Sequence, residues 1–192
     1  MTKIAVIVGA TRPGRVTDKL AKWVAEEVKK DSDVEIVDLV DYPMPFFDEA
    51  ISPRYNPERK ATPEVQKWLD KIAEFDGYVL VTPEYNRTTS GVLKNALDFL
   101  AYEMEGKPVT LVGHGSAGGG QAIASLRQAI PGVGAITLAK ALYFTDRVGE
   151  AVDEAGVLKA ELQDNPYGPQ ANLKAAIDDL KWFADTLSAA RK

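Results

Sequence analysis

Three short apolar runs, Ile4-Ala5-Val6-Ile7-Val8, Tyr78-Val79-Leu80-Val81 and Val109-Thr110-Leu111-Val112, constrain this chain more than any other feature. Each is free of charge and stops at a turn signal: Gly9, Thr82-Pro83 and Gly113. A strand with one wet face alternates polar and apolar residues, whereas a continuous run suits a strand buried on both faces. Between the runs the period lengthens. Leu20, Trp23, Val24 and Val28 fall at helical spacing, with Lys22, Glu26, Lys29 and Lys30 opposite them. Thr62-Pro63-Glu64 reads as N-cap, first-turn proline and acidic first turn of a helix burying Val65, Leu69 and Ile72. Leu93, Ala96, Leu97 and Leu100 mark another helix, and Ile123, Leu126 and Ile130 the next. A last one is predicted from about Pro169 to Ala189, with Leu173, Ile177, Leu180, Ala184 and Leu187 on one face.

Val34 to Leu39 alternates apolar and charged residues, as a half-exposed edge strand does, and Ala135 to Phe144 holds a fifth strand with a break near Lys140. Strands alternating with helices imply right-handed crossovers, hence a doubly wound α/β fold. The expected sheet is parallel and five-stranded, in the order 2-1-3-4-5, with helices on both faces. No repeat, low-complexity tract or linker divides residues 1–192, so one domain is expected. Two stretches resist this scheme. Asp146 to Pro169 reads as a surface excursion. Asp41 to Lys60 carries Pro43, Pro45, Pro53 and Pro57, yet Met44, Phe46 and Phe47 are too apolar for a solvated tether. They are expected to be buried against the chain's own helix or a neighbouring subunit.

Composition removes several chemistries. With no cysteine, the chain has no thiolate nucleophile, Fe–S cluster or Cys-ligated zinc, and a single histidine, His114, rules out a His-rich metal site. A net charge of −5 supplies no excess of cations for general nucleic-acid binding. The first strand starts at Lys3 with no signal-like segment before it, and no stretch approaches the ~18 apolar residues of a spanning helix. A soluble, cytoplasmic protein without membrane partners is expected. Any redox chemistry would need a bound organic cofactor.

In an open parallel sheet, ligands bind beyond the carboxyl ends of the strands, where strand order reverses. The loops meeting there are the unusual ones. Gly9 to Thr17 joins a buried strand to a helix N-terminus, where free amides and the helix dipole favour an anion. Thr11, Arg12, Arg15, Val16 and Thr17 are the candidate phosphate residues; a plain turn with solvated arginines is the alternative. Neither Walker A nor Gly-x-Gly-x-x-Gly is present, since Arg15-Val16 follows Gly14. A third loop, Gly113 to Gly120, lets backbone approach a flat ligand, and His114, Gly115, Ser116, Gly118 and Gly119 are its candidates. His114-Gly115-Ser116-Ala117-Gly118 nearly fits a hydrolase nucleophile elbow, but the lone histidine, two residues from the serine, is badly placed as its base.

The second loop, Pro83-Glu84-Tyr85-Asn86, runs on into Gly91-Val92-Leu93-Lys94-Asn95-Ala96-Leu97-Asp98. From Pro83 to Asp98 it closely resembles the Pro-Glu-Tyr-Asn … Gly-x-Leu-Lys-Asn-Ala-x-Asp signature of the NADPH-dependent FMN reductase family, which has a flavodoxin-like fold. Tyr42 to Glu49 is similar to that family's proline and aromatic segment, and Gly118-Gly119 with Leu126-Arg127 to its glycine turn and following helix. The first loop departs: the family reads Gly-Ser-x-Arg with a later Ser and Asn, where this chain has Ala10, Arg15 and Thr17. The resemblance implies FMN as cofactor, with Pro83, Glu84, Tyr85 and Asn86 along its ring, and NADPH or NADH as co-substrate. It implies a hydride passed from the nicotinamide to FMN N5 and on to a quinone, free flavin, azo compound or metal oxyanion. No side chain is expected to be catalytic, and a homodimer or homotetramer is implied. A flavodoxin-type electron carrier without nicotinamide activity is the alternative; the two arginines of the first loop and the mild net charge disfavour it.

Overall fold

The computed structural model describes residues 1–191. The three apolar runs form the centre of a parallel sheet: β1 (Lys3–Val8), β3 (Gly77–Pro83) and β4 (Pro108–His114), with β2 (Asp33–Asp38) beside β1 at one edge. β5 (Ile136–Thr137) and β6 (Leu142–Phe144) both pair with β4, so the order is β2-β1-β3-β4 followed by a split fifth position. The split has a local cause. The Ala139 carbonyl accepts from Arg127 Nη2 at 2.7 Å and the Lys140 carbonyl from Thr110 Oγ1 at 2.9 Å. Side chains thus take backbone acceptors between the two short strands.

The side-chain alternation of β1 separates two cores. Ile4, Val6 and Val8 face α1 (Thr17–Val28) and α7 (Pro169–Ala190), meeting Leu20, Val24, Leu173 and Leu180. Ala5 and Ile7 face the other layer, where α2 (Pro63–Ala73), α3 (Gly91–Asp98) and α4 (Gly120–Ala129) bring Trp68, Ile72, Leu93, Leu97 and Leu126. Both faces are covered, which is why central strands carry no polar alternation. At the β2 edge, Glu35 pairs with Lys3 and Lys71 at 3.1 Å each, charges that also discourage another strand from docking there.

Residues 146–169 contain α5 (Val148–Ala151) and α6 (Ala160–Gln163) and strap α1 from outside. Lys19 and Lys22 both reach Glu154, and Val148, Val152 and Leu158 are buried in the α1 layer. The proline-rich segment divides its apolar residues. Tyr42, Met44 and Phe47 pack on the chain's own α2 and α3 layer, Phe47 edge-on to Phe99 at 5.3 Å, while Phe46 is 86 % exposed. Asn95 holds the turn, accepting from the Phe47 amide and donating to the Pro45 carbonyl. Among the described residues no helix is long and apolar enough to cross a membrane.

Leu80 is fully buried in the middle of β3. Truncation there leaves a cavity that neighbouring strands cannot close, so Leu80→Ala should cost about 2–5 kcal/mol in urea unfolding. A loss below that range would contradict the rigid central strand.

Candidate functional site

The candidates in all three loops lie at the carboxyl rim of the sheet, and backbone and side-chain bonds hold the loops together. The Glu84 amide donates to the His114 carbonyl at 2.8 Å, continuing the β3–β4 ladder past its last pair. Ser90 Oγ donates to the Gly9 carbonyl and caps α3 by accepting from the Leu93 amide at 3.2 Å. Thr17 Oγ1 and His114 Nε2 are 2.9 Å apart and buried, joining the start of α1 to the end of β4. Gly9 itself leaves no room for a larger residue, since a Cβ would lie 2.7 Å from the Val81 carbonyl oxygen.

Among α1 to α4, the helix N-termini at this rim differ in one respect. Thr62 Oγ1 caps α2, Ser90 caps α3, and the Glu84 carboxylate accepts from the Gln121 amide at 2.9 Å in the first turn of α4. α1 starts after Val16, which offers no side-chain oxygen. Its first amides thus face the rim without a side-chain acceptor, and such amides attract an anion. Thr11 and Arg12 are exposed beside them. Arg12 lies over the Tyr85 ring, 5.4 Å from its centroid. Arg15 is placed differently. Its guanidinium bonds the Ala10 carbonyl at 2.6 Å and grips Asp38 at the end of β2 with both Nη atoms, so it anchors the loop from below.

In the second loop Tyr85 and Thr88 exchange backbone bonds of 2.9 and 3.1 Å, closing a two-residue turn with Asn86 at φ 49° and Arg87 at φ 69°. Tyr85 is half-buried and Asn86 exposed. In the third loop the Gly118 amide donates to the Gly115 carbonyl at 3.0 Å. Gly119 has φ +73°, and a Cβ there would collide with the His114 amide nitrogen. Ser116 stands exposed at the tip. The His114 side chain turns to Thr17 instead of towards the rim, and burial together with the nearby Arg12 charge lowers its pKa to about 4. It is therefore neutral at physiological pH, and one ring nitrogen is already committed.

Ser90 and Asp38 belong to the site and are not among the residues singled out from sequence. Ser90 before Gly91-Val92-Leu93 carries an N-cap signal, but nothing local points to its bond with Gly9, 81 positions away. Asp38 ends an alternating strand and reads as an ordinary surface charge.

An uncapped helix start beside a guanidinium, a glycine cradle and an aromatic ring thus meet at the carboxyl rim of a flavodoxin-like sheet. The donor set suits FMN: amides and Arg12 for the phosphate, close backbone for the ring. The family pattern of NADPH-dependent FMN reductases matches residues 2–149, and the chain belongs to that family. It is 34% identical over 184 residues to an NAD(P)H-dependent FMN reductase of Schizosaccharomyces pombe, covering 85% of this chain and 92% of that one. A 2-hydroxy-1,4-benzoquinone reductase of a Burkholderia species is 36% identical over 128 residues, 64% of this chain and 65% of that one. In fold, the chain superposes on the flavoenzyme NAD(P)H:(acceptor) oxidoreductase FerB of Paracoccus denitrificans with a TM-score of 0.72, at 23% identity and 98% coverage of both chains.

The His114 arrangement fixes a pH dependence. The unfolded chain takes up a proton near pH 6.5, whereas the folded one resists it down to about 4. Between those values stability falls as pH falls, by on the order of 3 kcal/mol in total from this group. His114→Gln should remove that part of the slope when urea midpoints are compared from pH 7 to pH 4. An unchanged slope would contradict the assignment.

Proposed function

We propose that this chain is an NAD(P)H-dependent FMN oxidoreductase that delivers two electrons to a small acceptor: a quinone, free flavin, azo compound or metal oxyanion. The observation that carries the reading is the open N-terminus of α1 facing the same rim as the glycine loop after β4. When bound, FMN supplies the hydride chemistry, and the chain supplies position, electrostatics and access.

Thr11, Arg12 and the amides of Val16 and Thr17 hold the phosphate, and Arg15 acts through Asp38 to keep their loop in shape. Backbone of Pro83, Glu84, Tyr85 and Asn86 lies along one edge of the ring. Gly115, Ser116 and Gly119 offer amides to its polar edge, Gly118 closes the turn onto the Gly115 carbonyl so that backbone can approach the ring, and the neutral His114 supports the loop from beneath. Tyr85 and the Arg12 stem wall the slot. No side chain is assigned as acid or base. A flavodoxin-type carrier is disfavoured by Arg12 at the phosphate end and by a net charge of only −5.

The function is tested on purified protein. Bound flavin released by heat should co-elute with FMN, and anaerobic NADPH or NADH should bleach the flavin band, with colour returning on addition of a quinone. No bleaching by either nicotinamide would leave only a carrier. For the phosphate residues, Arg12→Ala should weaken FMN about tenfold or more, the worth of one charge-assisted bond. Riboflavin should lose much less; equal losses for both flavins would remove Arg12 from the phosphate site.

A cytoplasmic homo-oligomer completes the proposal. Phe46, Ile51 and Tyr55, all from the proline-rich segment, are 86, 54 and 81 % exposed, more apolar surface than a loop gains from solvating alone. A homodimer or homotetramer would cover it. Phe46→Asp with Tyr55→Asp should lower the mass in light scattering while leaving the helical signal intact. A wild-type monomer at micromolar concentration would refute the oligomer.

A further inference from the structure

Arg87 is the residue that folding alone does not explain. Asn86 and Arg87 form the centre of a two-residue turn in which both have positive φ, 49° and 69°. Glycine suits the second of these positions, because any Cβ there is crowded by the backbone, so arginine is held at a cost in stability. The turn does not need its side chain. Two backbone bonds close the hairpin, Thr88 Oγ1 reaches Ser125 Oγ at 3.1 Å, and Thr82 and Thr89 hydroxyls pair at 2.7 Å behind it. Arg87 is exposed, and among the described residues no carboxylate pairs with its guanidinium.

Its position supplies a reason. The hairpin carries Tyr85, whose ring already has Arg12 over it on the phosphate side. Beyond the hairpin opens a cleft of about 360 Å³ between α3 and α4, lined by Tyr85, Asn86, Thr88, Lys94 and Ser125. Lys94, at its wall, is paired with Asp98 at 2.5 Å. An unpaired guanidinium at the tip of this hairpin offers parallel donors in the geometry of a phosphate or sulfonate. We propose that Arg87 is a specificity-determining residue that binds an anionic oxygen group on the ligand that enters after FMN. The inference rests on the flavin-reductase reading above. The group has two sources, the 2′-phosphate of NADPH or an anionic substituent on the acceptor.

The experiment uses the FMN-loaded enzyme and three variants: Arg87→Ala, Arg87→Lys and Arg87→Gly. The first arm compares kcat/KM for NADPH and NADH with an uncharged quinone. The second compares a sulfonated with an unsulfonated naphthoquinone at saturating NADH. In Arg87→Ala one of these two ratios should fall about tenfold, and the ratio that falls names the source. Arg87→Lys should restore only part of it, because an ammonium keeps the charge but not the parallel donors. Arg87→Gly should lose the ratio yet raise Tm by ~2–4 °C, because glycine relieves the positive φ. Both ratios unchanged in an enzyme that still oxidises NAD(P)H would overturn the role of Arg87 and leave the reductase intact. Absence of NAD(P)H oxidation in the wild type would overturn the reading beneath it.

Discussion

The amides at the start of α1 organise the rest of the rim. A helix start leaves its first amides without intrahelical acceptors, and the Val16 side chain cannot accept from them. The neighbouring groups leave that position open while bracing everything around it. Arg15 is committed to Asp38 and Ala10, Thr17 to His114, and Ser90 to Gly9. The Ala10 bond closes the first loop on itself, and the other three join it to β2, β4 and the start of α3. The loop is thus pre-shaped before any anion arrives, which reduces the ordering cost of binding.

The same network settles the electrostatics. His114 is buried and kept neutral, so the positive electrostatics of this rim come from Arg12 and the dipole of α1. Arg15 carries the same formal charge but is cancelled by Asp38, so two arginines in one loop do different work.

The architecture was legible because its signals are local. Val6, Val79 and Val112 sit in runs that only a doubly covered strand requires, and the spacing of Leu20, Val24 and Val28 can be read within one window. The loops were legible for the same reason: glycines, arginines and prolines break these patterns where a parallel sheet presents its ligands. What sequence did not reveal was pairing across distance. Nothing near Arg15 announces that Asp38, 23 residues on, takes its guanidinium, nor that Thr17 occupies His114 from 97 residues away. The fifth strand splits because Thr110 and Arg127, from other elements, take the Lys140 and Ala139 carbonyls. Phe46 and Phe47 are adjacent and equally apolar, yet Phe99 receives only Phe47.

The central claim is that the open start of α1 is the phosphate seat. It is tested most directly by following the backbone amides of Val16, Thr17 and Asp18 in 15N-labelled apoprotein during titration with FMN and, separately, riboflavin. The account predicts large downfield amide proton shifts and slowed hydrogen exchange at these residues with FMN and much smaller ones with riboflavin. Equal responses to the two flavins, or none with FMN while the amides of Gly115 to Gly119 respond, would place the phosphate elsewhere and contradict it.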